Sequence, residues 1–164
     1  MNASTKLALI LATAAFALPQ TGMARSPALS KQWSGTWQLN TDKSKFSAPD
    51  TSTKSDTRTY TVVGNRVTMK STMVNAAGKT IKWSYSAAVD GKSYRVTGNP
   101  NTDHIRLTRI SDREIKSQST LHGKPAVRAT ANLSTNGKVL TIHRSILTAK
   151  GGPSDDTAVY ERTK

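Results

Sequence analysis

Three arginines lie where a β-rich sequence normally places apolar side chains. Arg58 has the same strand parity as Tyr60 and Val62, and Arg109 and Arg144 share parity with nearby isoleucines and leucines. Residues two apart on a strand face the same side of a sheet, so these guanidinium groups should point inward. Each would then need a carboxylate partner or an anionic ligand, because an unpaired buried charge is costly. Arg58 and Arg109 lie near strand ends, where a long side chain can also reach water, whereas Arg144 lies mid-strand and is the sharper candidate.

The predicted interior face combines large aromatic side chains with small ones. Trp83 and Tyr85 lie on this face, as do the small residues Ser71, Ser119 and Ala129. Small residues inside a barrel leave space, and hydroxyl groups there suit a ligand with both apolar and polar parts. The alternative is that the aromatic rings simply fill the space.

No pattern typical of a catalytic or metal centre is present. The chain has no cysteine, no Gly-x-Ser-x-Gly turn and no phosphate-binding loop. Its three histidines, His104, His122 and His143, have no partner at metal-ligand spacing apart from the adjacent Asp103. We therefore expect no catalytic residue, no metal and no cofactor, although a Ser/His/Asp arrangement is recognised in space rather than in sequence.

Short β-rich runs separated by turn residues must position these side chains. Such runs recur about ten times, and the connections between them are rich in Gly and Asn, which tolerate turn conformations. A meander of this length predicts an all-β fold, a single antiparallel up-and-down barrel of about ten strands. The predicted strands are 35–39, 57–63, 66–74, 80–89, 93–97, 104–110, 114–122, 126–133, 139–147 and 157–162, which leaves 40–56 outside the strands.

The first 24 residues have the pattern of a secretory signal peptide. Lys6 precedes an apolar core at 7–18, and Pro19 and Gly22 break the apolar run before a small residue, Ala24. We expect cleavage near Ala24–Arg25, and a periplasmic or secreted bacterial protein. The alternative is a retained anchor helix, but the apolar run is short for a bilayer span. The chain thus divides into a signal peptide (1–24), an N-terminal linker (25–34) and a barrel domain (35–164), which is long enough to fold without disulfides.

A large positive charge indicates attraction to anionic partners. The chain has 24 Lys and Arg against 10 Asp and Glu, a formal net charge of +14. Such a charge favours contact with lipopolysaccharide, anionic lipids, acidic polysaccharides or nucleic acid, although a merely soluble basic surface explains it too. Neighbouring aromatic and basic residues, such as Trp83 and Lys82, have opposite parity, which argues against a platform for specific nucleic-acid binding.

Two short segments carry a family resemblance. Gly35-Thr36-Trp37 resembles the Gly-x-Trp opening shared by lipocalins and intracellular fatty-acid-binding proteins, and 159–162 resembles the last strand of the latter group. Residues 35–46 together with 96–100 also resemble small exported bacterial lipocalin-like (calycin) proteins with no assigned activity, and that resemblance covers nearly the whole mature chain.

The resemblance implies the barrel fold, whereas the residues that bind ligands in the family are only partly present in this chain. In fatty-acid-binding proteins an Arg-x-Tyr pair in the last strand grips the ligand carboxylate; Tyr160 matches the tyrosine, but Ala158 stands in place of the arginine. The helical lid of that family has no counterpart in 40–56, and Leu39 departs from the Gly-x-Trp-x-Gly opening of haem-binding relatives. Trp37 is expected to plug the barrel floor.

The sequence therefore predicts an exported, monomeric, non-catalytic barrel that binds a small amphipathic or anionic ligand. The alternative is a basic envelope protein that docks on anionic polymers, such as lipopolysaccharide or acidic polysaccharide, through its surface and without an internal ligand. The residues predicted to line the ligand site are Arg144, Arg58, Tyr160, Trp83, Tyr85 and Ser119.

Overall fold

The computed structural model describes residues 28–147 and 153–163. Ten antiparallel strands form one closed barrel, in which successive strands are neighbours and the last pairs with the first. The predicted all-β, ten-stranded up-and-down barrel is confirmed, whereas the signal peptide predicted for 1–24 lies outside the described residues. The strands are β1 (Gly35–Lys45), β2 (Thr53–Val63), β3 (Arg66–Asn75), β4 (Thr80–Ala88), β5 (Asp90–Thr97), β6 (His104–Ser111), β7 (Glu114–Leu121), β8 (Lys124–Leu133), β9 (Val139–Leu147) and β10 (Pro153–Arg162).

The segment 40–56, expected to lie outside the strands, largely belongs to them. β1 continues to Lys45 and β2 already begins at Thr53, with only a short 3-10 helix, Pro49–Thr51, between them. Alternation of apolar residues missed these extensions because inward positions there carry polar side chains. Thr53 and Asp56 are both buried, at 5% and 1% exposure.

Alternation along the strands builds the core as predicted. Val67, Met69, Leu107 and Leu140 point inward and are almost fully buried, while the residues between them face water. A closed sheet has no unpaired edge, so every strand of the barrel can bury its apolar face against the others.

One end of the barrel, here called the lower end, is closed by tryptophans. Trp33 belongs to a 3-10 helix, Lys31–Trp33, and its indole Nε1 donates to the carbonyl of Asp112 at 2.8 Å. Trp37 is fully buried, and the guanidinium of Arg162 stacks 4.2 Å from its ring centre. Leu29 is buried in the same cluster. The described part of the expected linker, 28–34, is therefore packed against the barrel end, because its apolar residues cover the floor.

The wall is most weakly paired between β4 and β5. Only Ser84 with Thr97 and Tyr85 with Val96 are in register there, whereas β3 and β4 share a continuous ladder. Gly98, just beyond β5, lies against β4: a Cβ atom on it would fall 2.2 Å from the carbonyl oxygen of Lys82. Its positive φ of 82° also favours glycine. The close approach of Gly98 seals the upper end of this seam.

Within the described residues, no helix has the length and apolar character needed to cross a bilayer.

Candidate functional site: the barrel interior

A cavity of about 150 Å³ lies inside the barrel. Its wall is largely apolar, with Val67, Ile105, Leu107, Ile115 and Ile142 among the lining side chains. The six residues predicted from sequence to line a ligand site all border this cavity: Arg58, Trp83, Tyr85, Ser119, Arg144 and Tyr160. The strands bring them together because each lies on the inward parity of its own strand.

Arg58 lies in a buried polar cluster in the middle of the barrel. Its Nε donates to Oδ2 of Asp56 at 2.7 Å, and both side chains are nearly inaccessible to water. The Asp56 carboxylate also accepts hydrogen bonds from Ser71 Oγ at 2.7 Å and from the Tyr160 hydroxyl at 2.9 Å. Three donors thus satisfy this carboxylate, which is what a buried charge requires.

Aromatic rings surround the same guanidinium. Arg58 stacks 4.7 Å from the ring centre of Tyr160 and 5.5 Å from that of Trp83. Burial by itself would lower the pKa of Arg58, but the Asp56 charge together with Tyr160 and Tyr60 outweighs it, and the guanidinium pKa stands well above its usual value. Burial raises the pKa of the Tyr85 and Tyr160 hydroxyls, so both remain neutral donors at physiological pH.

Arg144 forms a second cluster near the upper end of the barrel. Its Nε and Nη2 both lie 3.3 Å from Oδ2 of Asp156, and Nη2 donates to the carbonyl of Thr51 at 3.1 Å. The guanidinium also stacks 5.4 Å from the ring centre of Phe46. Arg144 therefore holds the segment between β1 and β2 over this end of the barrel.

Asp156 also holds the segment between β1 and β2, through hydrogen bonds of its own. Its Oδ1 accepts hydrogen bonds from the backbone N–H of Ser47 at 2.9 Å and from Ser154 Oγ at 2.9 Å. Burial alone would raise the pKa of Asp156, but these hydrogen bonds and the Arg144 charge together lower it. The carboxylate is therefore ionised whenever the surrounding pH is near neutral.

Of the two alternatives for an inward arginine, a carboxylate partner or an anionic ligand, the structure shows the carboxylate for Arg58 and Arg144. Arg58 is not at a wet strand end but buried, and both it and Arg144 have aspartate partners inside the barrel. Two arginines and two aspartates leave the interior with no formal net charge. Neither arginine requires an anionic ligand to be stable.

The third inward arginine, Arg109, lies at the lower end and away from these clusters. It is only partly buried, and its Nη1 donates to the carbonyl of Ala28 at 3.2 Å. Its Nη2 pairs with Asp112, three residues further along the chain. Arg109 thus ties the segment before β1 to the β6–β7 turn.

One buried polar atom in the cavity wall has no partner. The indole Nε1 of Trp83 is inaccessible to water, and no described residue provides an acceptor for it. An indole N–H can only donate, and leaving such a donor unsatisfied costs about 1–3 kcal/mol. Trp83 borders the cavity, but because this N–H is itself inaccessible, a ligand acceptor would reach it only if the indole ring turned toward the cavity.

Sequence patterns did not identify Asp56 and Asp156 as partners of the inward arginines, nor Ser71 as a donor to Asp56. The first pairing had a signal, since Asp56 and Arg58 are two residues apart and share strand parity. The second pairing joins β9 to β10 and depends on the register in which Arg144 lies opposite Asp156. Parity alone does not provide that register.

The histidines form no metal site among the described residues. No three His, Cys, Asp or Glu side chains there are arranged to hold a metal ion. His143 faces water, as its parity predicted, and its Nδ1 lies 3.0 Å from the Thr157 hydroxyl. His104 and His122 both approach Asp103 on the barrel surface, at 3.1 and 3.8 Å.

Neither a model of a protein family nor a curated protein sequence matches this chain. A functional proposal therefore depends on the residues that line the cavity.

Proposed function

We propose that this protein is an exported, lipocalin-like barrel that holds one small, neutral, mainly apolar molecule with a single hydrogen-bond acceptor. The observation that carries the proposal is the cavity of about 150 Å³, one of whose lining residues, Trp83, has a buried N–H donor with no partner among the described residues. Export and the lipocalin-like relationship rest on the sequence patterns at 1–24 and 35–37.

The size of the cavity limits the ligand. Typical ligand pockets occupy about 300–1,000 Å³, whereas a cavity of about 150 Å³ lined by apolar side chains is large enough for benzene. A long-chain fatty acid would need a larger space than the described wall encloses. A single ring or a short branched chain fits the volume.

The charges of the interior favour a neutral ligand. Arg58 and Arg144 are each already paired with an aspartate, so an anion bound in the cavity would add a charge that no unpaired cation of the two clusters balances. Burying such a charge against a largely apolar wall is costly. We therefore do not propose an anionic ligand, which was one of the two kinds that the sequence predicted.

The unpaired Trp83 N–H favours a ligand with an acceptor. A ketone, aldehyde or ether oxygen would satisfy this donor, while the remainder of the molecule would contact the apolar wall. Hydroxyl groups of Ser117 and Ser119 also border the cavity and provide further polar contacts.

Three probes of nearly equal size test the proposal: acetophenone, ethylbenzene and benzoate. We expect acetophenone to bind more tightly than ethylbenzene, by about fivefold for one net hydrogen bond, and benzoate to bind most weakly. In Trp83→Phe the preference for the ketone over the hydrocarbon should disappear. Isothermal titration calorimetry measures all three affinities.

A cavity-filling variant is the control for location. Ala129 borders the cavity, and Ala129→Leu should remove part of its volume and weaken every probe, while circular dichroism verifies the fold. The proposal is wrong if none of the probes binds wild type, or if Ala129→Leu binds them as tightly as wild type does.

A further inference from the structure

The excess positive charge of the described residues lies outside the cavity. Twenty of the 24 Lys and Arg and all ten Asp and Glu belong to these residues, which gives them a formal net charge of +10. The four ionised groups that border or support the cavity cancel one another, so this excess lies elsewhere in the described chain.

The outer surface of β5–β8 is strongly basic. Six exposed cations lie there, and none of them forms an ion pair with a described residue: Lys92, Arg95, Arg106, Lys116, Lys124 and Arg128. Other surface cations are engaged; Lys43, for example, contacts Glu161 at 2.7 Å across β1 and β10.

The strand register places three of these cations around the side-chain amide of Gln118. Gln118 on β7 lies opposite both Arg106 on β6 and Arg128 on β8. Strands are about 4.8 Å apart, so the two arginines flank Gln118 at a separation of about 10 Å. Lys116 is the next outward residue on the strand between them.

A groove of about 450 Å³ adjoins this arrangement on the outside of β7–β10. Lys116 and Arg128 contribute cations to it, and Gln118, Thr130, Ser145 and Thr157 contribute amide and hydroxyl groups. His143 also lines the groove, while Asp155 lies at its far side, two strands from Arg128.

The surrounding surface excludes two common classes of anionic partner. The Phe, Trp and Tyr side chains of the described residues are buried or half-buried, so none presents a fully exposed ring for stacking with nucleobases. The exposed large apolar residues, Val63, Ile110 and Leu147, lie at strand ends on β2, β6 and β9 and form no patch for insertion into a bilayer. A hydrated polymer with charged groups and many hydroxyls needs neither kind of anchor.

We propose that this groove and the adjoining cations bind an acidic polysaccharide, with Arg106, Lys116 and Arg128 contacting its charged groups. Guanidinium and ammonium groups suit carboxylates and sulfates, and the amide and hydroxyl groups between them suit sugar hydroxyls. This site is separate from the interior cavity, and either can exist without the other.

Two variants with the same loss of charge test the site. The first replaces Arg106, Lys116 and Arg128 by Gln; the second replaces Lys54, Lys70 and Lys82, on the outside of β2–β4, by Gln. Polygalacturonate is the probe, and its dissociation constant is measured for each protein over a series of salt concentrations.

We expect the first variant to weaken binding by about a factor of five for each cation removed, and to reduce the salt dependence. The second variant should stay within about threefold of wild type, since it lacks only general attraction. Equal losses in both variants would mean a diffuse charge effect and would overturn the proposal, as would no loss in either.

Two competitor probes separate the partner classes. Single-stranded DNA and vesicles rich in phosphatidylglycerol should both bind more weakly than polygalacturonate at the same ionic strength. Tighter binding of either by wild type, lost in the first variant, would assign the groove to that partner instead and contradict the polysaccharide proposal.

Discussion

At the scale of single residues, the interior is organised around two arginine–aspartate pairs. Asp56 and Asp156 each bring a carboxylate into the barrel and satisfy it with several donors. Buried pairs of this kind contribute little net stability over apolar residues, yet breaking one is costly. The pairs therefore act as fixed polar walls of the cavity rather than as reactive groups.

Asp56→Asn should be strongly destabilising. It leaves the buried Arg58 charge without its counter-ion, and breaking such a pair costs about 3–5 kcal/mol of the free energy of unfolding. Removing both charges, in Asp56→Leu/Arg58→Met, should recover part of this loss. Urea unfolding measures each variant, and a loss below about 1 kcal/mol for Asp56→Asn would contradict the assigned role.

Asp156→Asn should change how the free energy of unfolding depends on pH under acidic conditions. The pKa of Asp156 is lower in the folded state than in the unfolded chain, where it is about 4. Ionisation of Asp156 therefore stabilises the fold at pH values above about 4, and this stabilisation is lost as the pH falls through the folded pKa. The stability difference between wild type and Asp156→Asn should therefore be largest near pH 7 and shrink below pH 4. Urea unfolding at several pH values tests this.

The neighbouring Asp155 provides a matched control. It is exposed on the outer face of β10, so Asp155→Asn removes the same charge without touching the interior. If the two variants gave the same pH profile, the buried pair would not be the source of the effect.

At the scale of elements, the seam between β4 and β5 is the weakest part of the wall. It has two residue pairs in register, and the Gly98 backbone packs against Lys82 beyond them. Trp83, whose indole N–H lacks a partner, is the next residue on β4. The structure of this seam therefore affects the part of the cavity that we propose contacts the ligand.

Gly98→Ala should destabilise the barrel more than an equivalent change elsewhere. Its Cβ would fall 2.2 Å from Lys82 O and 3.3 Å from Trp83 Cα, so the backbone must move apart. Gly64→Ala is the control, because Gly64 has a similar positive φ but no atom within 4 Å of the added Cβ. Gly64→Ala should cost about 1 kcal/mol from the φ angle alone, and Gly98→Ala clearly more. Equal losses in urea unfolding would show that the close approach is unimportant.

Most of the fold could be predicted from local patterns, whereas the partners of the site could not. Turn residues and alternation located ten strands, and parity placed Arg58, Trp83 and Arg144 inside, because both signals are local. The pairing of Arg144 with Asp156 depends on register between strands, and the volume of the cavity depends on the packing of every inward side chain. The extension of β1 was missed because residues 40–45 are all polar, and that of β2 because Asp56 interrupts the apolar alternation.

At the scale of the whole molecule, the charges are unevenly distributed. The charged groups of the cavity cancel, and the described residues outside it carry an excess of +10. A neutral cavity and a basic outer groove would let one barrel contain a small molecule while its outer surface contacts an acidic polymer. The two proposals can be tested separately, because Arg106, Lys116 and Arg128 do not line the cavity, although Ser117, Ala129 and Arg144 border both the cavity and the groove.

The most direct measurement is native mass spectrometry of the protein purified from its own compartment, followed by identification of any compound released on denaturation. We predict one neutral small molecule per chain, retained by wild type and absent from Ala129→Leu, on a protein that begins near Arg25. A wild-type protein that carries nothing, and in which a crystal structure shows the interior filled by its own side chains, would contradict the account.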